Sequence, residues 1–379
     1  MMQCPNCQVD IPDNAKTCPD CGADIAAPAR PAAKARPPRR FRVRDAVTGY
    51  TFLLPNIIGF LIFTLLPVFA AFALSFFRWD VIQPFFPTAL ESRQEALTPR
   101  EKVAAVMRGE GKRHAKYAGL RNYKEFLGWE RDKRTGKLRA RDEKFWYYAY
   151  NTVFLMAGIP IGMVLSLILA LLLNTNLRGV VIYRTVFFVP AICSPAAIAL
   201  LWRWIYNPEY GLFNSAIIAI GKLFGATGQP PAWLSDPDWA KPALIIMGLW
   251  AGAGGYNCLL YLAGLQGVPQ ELYEAAEIDG AGWWHRLRHI TWPMLSPTTF
   301  FIFTMAIIAG FQGGFVYINL MTDGGPAGAT TTVMYYIYLH AFRWFKMGGA
   351  CALAVILFVV VFAITLLNWR YGRRAVHYQ

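Results

Sequence analysis

Charge is scarce in this chain. Asp, Glu, Lys and Arg make up 16% of its 379 residues, against 55% hydrophobic residues. Soluble domains carry about 25% charged residues, so an ordinary soluble protein is excluded. Disorder is excluded more firmly, since it needs few apolar residues. Cysteine is sparse too: seven in the whole chain cannot make a disulfide scaffold. There is no G-x-x-x-x-G-K-[ST] loop to cradle phosphates. A Ser/His/Asp order, a dinucleotide fingerprint and a kinase set are also missing. The apolar runs hold no paired carboxylates, which disfavours an intramembrane enzyme. The formal charge is +14. In a chain this apolar, that excess belongs to basic residues flanking membrane spans.

A helix needs about 20 apolar residues to cross the hydrocarbon. Uncharged runs cover residues 46–77, 145–177, 185–202, 242–270, 290–322 and 347–369. They predict six transmembrane helices, near 50–77, 148–173, 185–205, 242–265, 294–318 and 347–369. The third is the shortest, but 186–202 is still long enough to cross. A further run, 210–221, is too short and reads as an interfacial or re-entrant helix. The first run starts too late and is too long for a signal peptide. Pro55, Pro67, Pro160, Pro190 and Pro195 fall inside spans, where bundle neighbours can satisfy the freed carbonyls. Gly248, Gly252, Gly254 and Gly255 mark close helix approach or plain packing.

Basic residues set the orientation. Arg30, Lys34, Arg36, Arg39, Arg40, Arg42 and Arg44 precede the first span, and Arg370, Arg373 and Arg374 follow the last. Both termini are therefore expected in the cytoplasm, together with the loops holding Arg178 and Arg184 and Arg286 and Arg288. The long segment 78–144 is expected outside, although it is more basic than acidic; long segments translocate largely regardless of charge.

Residues 1–26 form a cysteine module: Cys4-Pro-Asn-Cys7, ten residues, then Cys18-Pro-Asp-Cys21-Gly22. Two C-x-x-C turns at this distance suit tetrahedral zinc, and a module so small needs the metal to fold. Two disulfides or a redox dithiol are the alternatives. A cytoplasmic position disfavours the first, and no thioredoxin-like pattern supports the second. The module resembles the short zinc ribbons at the ends of many prokaryotic proteins, which implies a structural or docking role. Residues 27–44, rich in Pro, Ala and Arg, form an extended linker held near anionic lipid headgroups. Cys193, Cys258 and Cys351 sit alone in spans as packing residues. The transmembrane domain covers 45–372.

The loop 266–293 reads QGVPQELYEAAEIDGAGWWHRLRHITWP. Pro269 suits a first helical turn. Glu271 and Glu274 favour the positive end of the helix dipole, and Gly280 and Gly282 stop the helix. A second helix from Trp283 leads to Pro293. Leu272, Ala275, Ala276 and Ile278 give a small apolar face, which could seat on another protein or belong to a solvated amphipathic loop. His285 and His289 are spaced i, i+4, but Arg286 and Arg288 between them make a basic surface the better reading than a metal site.

These residues resemble the EAA motif, E-A-A-x3-G-x9-I-x-L-P, of permease subunits in ATP-binding-cassette (ABC) importers. Here it stands as Glu274-Ala275-Ala276, Gly280, Ile290 and Trp292-Pro293, with Trp292 in the usual leucine position. The stretch from Tyr273 through Asp279 to Ala281 is similar to the carbohydrate-importer branch. So are Gly324-Gly325-Pro326, Ile337-Tyr338 with Ala341-Phe342, and Gly119-Leu120 with Asn122-Tyr123. The likeness covers roughly 45–372. The cysteine module and the charged stretches near 90–116 and 130–144 depart from it.

The resemblance implies an all-α integral membrane fold: a six-helix type I importer permease bundle, preceded here by the zinc ribbon. It implies a non-enzymatic subunit in a prokaryotic inner membrane, importing a solute of the sugar class. The loop would be a coupling helix docking on a cytoplasmic ATPase dimer that hydrolyses the ATP, with Glu274, Ala275, Ala276, Asp279, Gly280, Ile290 and Pro293 carrying the contact. A second permease subunit, most simply as a heterodimer, and an extracytoplasmic solute-binding protein would complete the assembly. Tyr256, Asn257, Gln312 and Tyr317 are candidates for the solute path, since aromatic faces and amides suit sugar rings; interhelical hydrogen bonding is the alternative. The rival from another class is a membrane-anchored sensor or scaffold that recruits partners through its zinc ribbon. The basic tail lacks the aromatic platform that RNA binding would need.

Overall fold

The computed structural model describes residues 2–4, 7, 9–11, 18, 20–22, 43–80, 115–131, 136–175, 178–225, 229–312 and 314–372. Most of the linker, the charged stretch at 90–114 and Arg373 and Arg374 lie outside the described residues. The chain divides into two units, Met1–Leu66 and Pro67–Gln379, with the division inside the first span.

Four helices are long and apolar enough to cross a membrane: Val47–Leu74, Glu143–Leu173, Pro237–Gln266 and Met347–Arg370. Two bent pairs, Val180–Ile192 with Pro195–Ile205 and Trp283–Met294 with Ser296–Gln312, bring the number to six when each pair is one span. The expected helical bundle is therefore present, but spans three and five are not straight rods. Strand among the described residues is confined to three two-stranded ribbons, Met2–Gln3 with Asp10–Ile11, Phe77–Arg78 with Lys116–Tyr117, and Trp129–Arg131 with Leu138–Ala140.

Proline explains the departures. The third span turns by 98° between Ile192 and Pro195. Pro195 has no N–H, and its ring pushes Ser194 out of the helical region; Ser194 and Cys193 are both extended, at ψ 134° and 144°. The fifth bends by 64° at Leu295, between Pro293 and Pro297. It ends at Gln312 rather than continuing to 318. After Gly314, at φ +79°, a separate helix runs Phe315–Met321. In span one the chain relaxes into one π turn, Leu61–Leu65, just before Pro67. The uncharged run near 210–221 is the helix Leu212–Leu223. Its Asn214 accepts from the Trp233 indole at 2.8 Å, and Tyr206 donates to the Ala243 carbonyl at 2.8 Å, so the elbow after span three packs against span four.

Asn151 of span two is fully buried and holds three segments together. Its Nδ2 donates to the carbonyls of Gly328 and Thr331 at 3.0 and 3.1 Å, and its Oδ1 accepts from the Lys241 ammonium at 3.2 Å. Thr152 beside it accepts from the Val333 amide at 3.0 Å. The irregular segment before span six is thus stapled to span two. Lys241 lies on span four within 5.0–5.8 Å of the ring centroids of Tyr147, Tyr150 and Phe154. This arrangement offsets the cost of bringing an ammonium near the bundle. Asp142 caps span two through the amides of Lys144 and Phe145 and also accepts from the Tyr336 hydroxyl at 2.8 Å.

Asn151→Ala strands the buried Thr331 carbonyl and takes one partner from the Gly328 carbonyl and from the Lys241 ammonium. Each unsatisfied group costs about 1–3 kcal/mol, so the variant should unfold in detergent several degrees below the parent in a thermal scan. An unchanged midpoint would show that the staple does not matter for stability.

Candidate functional site

The loop after span four folds as a helical hairpin. Pro269 takes the N-cap, one position earlier than expected, and the helix runs Gln270–Ile278. Gly280 ends it at φ +75°, a conformation costly for any residue with a Cβ. The Ala281 amide reaches back to the Ala276 carbonyl at 2.8 Å and the Gly280 amide to that of Glu277 at 3.0 Å, which satisfies carbonyls of the last turn. The chain then returns through Trp283–Arg286, a π turn Leu287–Thr291, and Trp292–Met294 into span five. Two contacts close the hairpin: the Tyr273 hydroxyl and Thr291 Oγ1 at 2.9 Å, and Arg286 with Glu277 at 3.6 Å.

Of the seven residues singled out in the motif, Glu274, Ala275, Asp279 and Gly280 are exposed on the outer side of the hairpin. Ala276, Ile290 and Pro293 are half-buried and face its inside or the bundle. Glu274 accepts from the Gln270 amide at 2.9 Å. Ile278 is 88% exposed, with Trp283 and Trp284 at 62% and 65%. These three large exposed apolar side chains share the hairpin with the exposed carboxylates of Glu271, Glu274 and Asp279, which makes its surface amphipathic. The two tryptophans were not singled out from the sequence, although two adjacent aromatics after a helix stop were visible there. His285 and His289 stack at 4.0 Å, and His289 Nδ1 contacts the His285 carbonyl; no third ligand-bearing side chain joins them among the described residues.

A cavity of about 290 Å³ lies between spans two, four and five. Of the four residues singled out for the solute path, Asn257 and Tyr317 line it and Tyr256 and Gln312 do not. Tyr256 is 71% exposed and packs edge-on against Phe188. It and Asn257 are neighbours on one helix and so point about 100° apart. Gly248 and Gly252 also line the cavity, and a Cβ built on either would meet nothing within 4 Å. These two glycines keep space open, whereas Gly254 permits close approach to the Phe187 carbonyl and Gly255 to the Ala191 methyl. Thr152 and Thr332 add hydroxyls to the wall.

The sulfurs of Cys4, Cys7, Cys18 and Cys21 all lie within 4.8 Å of one another. The closest approaches are 3.7 Å for Cys4–Cys21 and 3.6 Å for Cys7–Cys18, far beyond a disulfide bond and near the roughly 3.8 Å edge of a tetrahedron with 2.3 Å metal–sulfur bonds. The Cys4 amide bonds to the Val9 carbonyl and the Gly22 amide, at φ +62°, to the Cys18 carbonyl. Four thiols converging on one point can hold a metal ion.

Comparison with known proteins bears on both the loop and the bundle. The profile of the family described as "Binding-protein-dependent transport system inner membrane component" matches residues 148–375. The chain is 32% identical over 339 residues to the probable ABC transporter permease protein YesP of Bacillus subtilis (strain 168), covering 89% of this chain and 94% of that one. It is 32% identical over 338 residues to the trehalose/maltose transport system permease protein MalF of Thermococcus litoralis, covering 88% and 96%. Among solved structures, the fold is similar to a chain of a bacterial ABC transporter involved in the import of the acidic polysaccharide alginate. That match has a TM-score of 0.64 at 22% identity and covers 88% of this chain and 97% of that one.

Gly280→Val places a β-branched residue at positive φ, at a cost of about 1–2 kcal/mol. Hydrogen exchange at the amides of Gly280 and Ala281 should accelerate roughly tenfold or more. Unchanged protection would mean that the turn does not need glycine.

Proposed function

Since the chain belongs to the family of binding-protein-dependent transport system inner membrane components, we propose that it couples to a cytoplasmic ATPase dimer through the helix Gln270–Ile278 and conducts a sugar. Membership makes it a multi-pass permease subunit of an ABC importer in the inner membrane, with no catalytic role of its own. The observation that carries the coupling reading is the exposed hairpin, with Glu274, Ala275, Ile278, Trp283 and Trp284 all uncovered by the rest of the chain. Small side chains let a partner surface approach the helix closely. The carboxylates favour basic partner residues, and the apolar residues supply the burial that holds the contact.

Span four ends at Gln266 and the coupling helix starts at Gln270. A push on the hairpin is therefore delivered to the helix that carries Gly248, Gly252 and Asn257 of the cavity wall. Packed helices move as rigid units, so closure of the ATPase dimer would open the cavity alternately to the two sides. The relatives named for trehalose/maltose and for sn-glycerol-3-phosphate transport support a polyhydroxylated solute. The amide of Asn257 and the phenol of Tyr317, both in the cavity lining, are hydrogen-bonding groups matched to one. An extracytoplasmic binding protein would deliver the solute, and a second permease subunit would close the path as a heterodimer. Six crossings would leave both termini on one side, and the basic residues flanking the first and last spans favour the cytoplasm for that side. There the Cys4, Cys7, Cys18 and Cys21 thiolates would hold a structural zinc ion.

Glu274→Lys should cut solute-stimulated ATP hydrolysis by the reconstituted importer roughly tenfold or more, since a like-charge contact at an interface costs several kcal/mol. Full activity in that variant would remove the coupling role. Metal analysis of the purified protein should find about one zinc per chain, lost in Cys4→Ser/Cys7→Ser. Absence of zinc in the parent would overturn the assignment.

A further inference from the structure

Span two is a helix of 31 residues, Glu143–Leu173. At about 1.5 Å per residue it rises about 46 Å, close to the roughly 40–45 Å of a bilayer with both headgroup layers included. Its first turn therefore lies at headgroup level, outside the hydrocarbon. On one side of the helix Phe145, Tyr148, Thr152 and Ser166 are buried in the bundle. The other side is uncovered along its length: Trp146, Tyr150, Val153, Ile161, Val164 and Ile168 share it at helical spacing, and all are exposed. Helices that pack on one another in a membrane favour small residues at the contact. This face carries branched aliphatic side chains at hydrocarbon depth and two aromatics at its headgroup end, the order that lipid selects.

The ribbon that precedes span two continues this face. Trp129–Arg131 pairs antiparallel with Leu138–Ala140, with Trp129 opposite Ala140, Glu130 opposite Arg139 and Arg131 opposite Leu138. Partners in such a ladder share a face, and successive pairs alternate between faces. One face thus carries Glu130 and Arg139, and both are neutralised within the protein: Arg139 by Glu143 in the first turn of span two, and Glu130 by Arg141 at 3.3 Å. The other face carries Trp129, Arg131 and Leu138. Trp129 is 59% exposed and Leu138 68%. The Trp129 ring lies 5.8 Å from that of Trp146, centroid to centroid. The apolar face of the ribbon therefore extends the uncovered face of span two sideways, at the depth where that face turns aromatic.

A two-stranded ribbon is marginally stable by itself in water. This one leaves its largest apolar side chains uncovered, so whatever covers them also holds it in place. Arg131 and Lys137 are exposed beside them and enter no ion pair among the described residues. An aliphatic and an aromatic side chain flanked by long cationic ones, at headgroup depth and continuous with a membrane span, match the lipid surface: the apolar groups reach the acyl boundary and the cations reach phosphate oxygens.

We propose that the ribbon of Trp129–Arg131 and Leu138–Ala140 is a membrane-surface anchor, with Trp129 and Leu138 set into the boundary between headgroups and acyl chains and Arg131 and Lys137 on lipid phosphates. The anchor needs only that span two crosses a bilayer. It holds whatever the hairpin docks and whatever solute is carried.

In the test, photoreactive p-benzoylphenylalanine replaces either Leu138, on one face of the ribbon, or Glu130, on the other. The full-length chain is reconstituted in nanodiscs of phosphatidylcholine and phosphatidylglycerol, and adducts are read by mass spectrometry after illumination. Position 138 should capture lipid roughly fivefold more than position 130. It should still capture lipid in the complex purified with its partner subunits. In a separate variant, Leu138→Asp sets a carboxylate against the lipid and should accelerate hydrogen exchange at the ribbon amides roughly tenfold, with the buried turns of span two unchanged. A ribbon face that stands in water would tolerate that substitution. The proposal is overturned if the two positions capture lipid equally, if position 138 captures a protein subunit in place of lipid in the complex, or if Leu138→Asp exchanges at the parental rate.

Discussion

A backbone N–H or C=O released from a helix inside a bilayer finds no water to bond. This chain breaks its helices often, at Cys193–Ser194, Gly254–Gly255, Leu295 and Gly314, and each break must be closed from within the protein. Asn151 shows how. One amide side chain binds two carbonyls of the irregular segment before span six and the Lys241 ammonium of span four. Thr152 does the same for the Val333 amide that opens the next helix, and Asn214 for the Pro208 carbonyl. The bends that proline imposes are tolerated because these polar side chains were placed to meet them.

Elsewhere that consistency is relaxed, and the relaxed places are the ones suited to function. The hairpin after span four leaves isoleucine and two tryptophans in water, which a solvated loop would not do for its own stability. Gly248 and Gly252 hold open a cavity that side chains of ordinary size would fill.

The cavity between spans two, four and five and the hairpin belong to one continuous stretch of chain. Three residues, Gly267 to Pro269, separate the end of span four from the helix Gln270–Ile278. With so short a connection there is little slack, and the Tyr273–Thr291 and Glu277–Arg286 contacts bind the hairpin to the entry of span five as well. The hairpin is thus joined to two walls of the cavity.

Much of this was legible along the chain. Charge-free runs of sufficient length mark the spans because hydrocarbon excludes charge, and that holds whatever the neighbours do. Gly280 at positive φ and the four converging cysteines follow from local chemistry, since a tight turn and a tetrahedral donor set are specified within a few residues. The direction of a side chain across a bundle is not local. Asn257 and Tyr256 are adjacent and equally polar, yet helix rotation sends one into the cavity and the other outward. Gly248 and Gly254 look alike in sequence, but only packing decides which meets a neighbouring carbonyl and which meets space. The 98° turn of span three and the Asn151 staple join residues far apart in the chain. Their energies depend on who the neighbour is, and only the tertiary structure settles that.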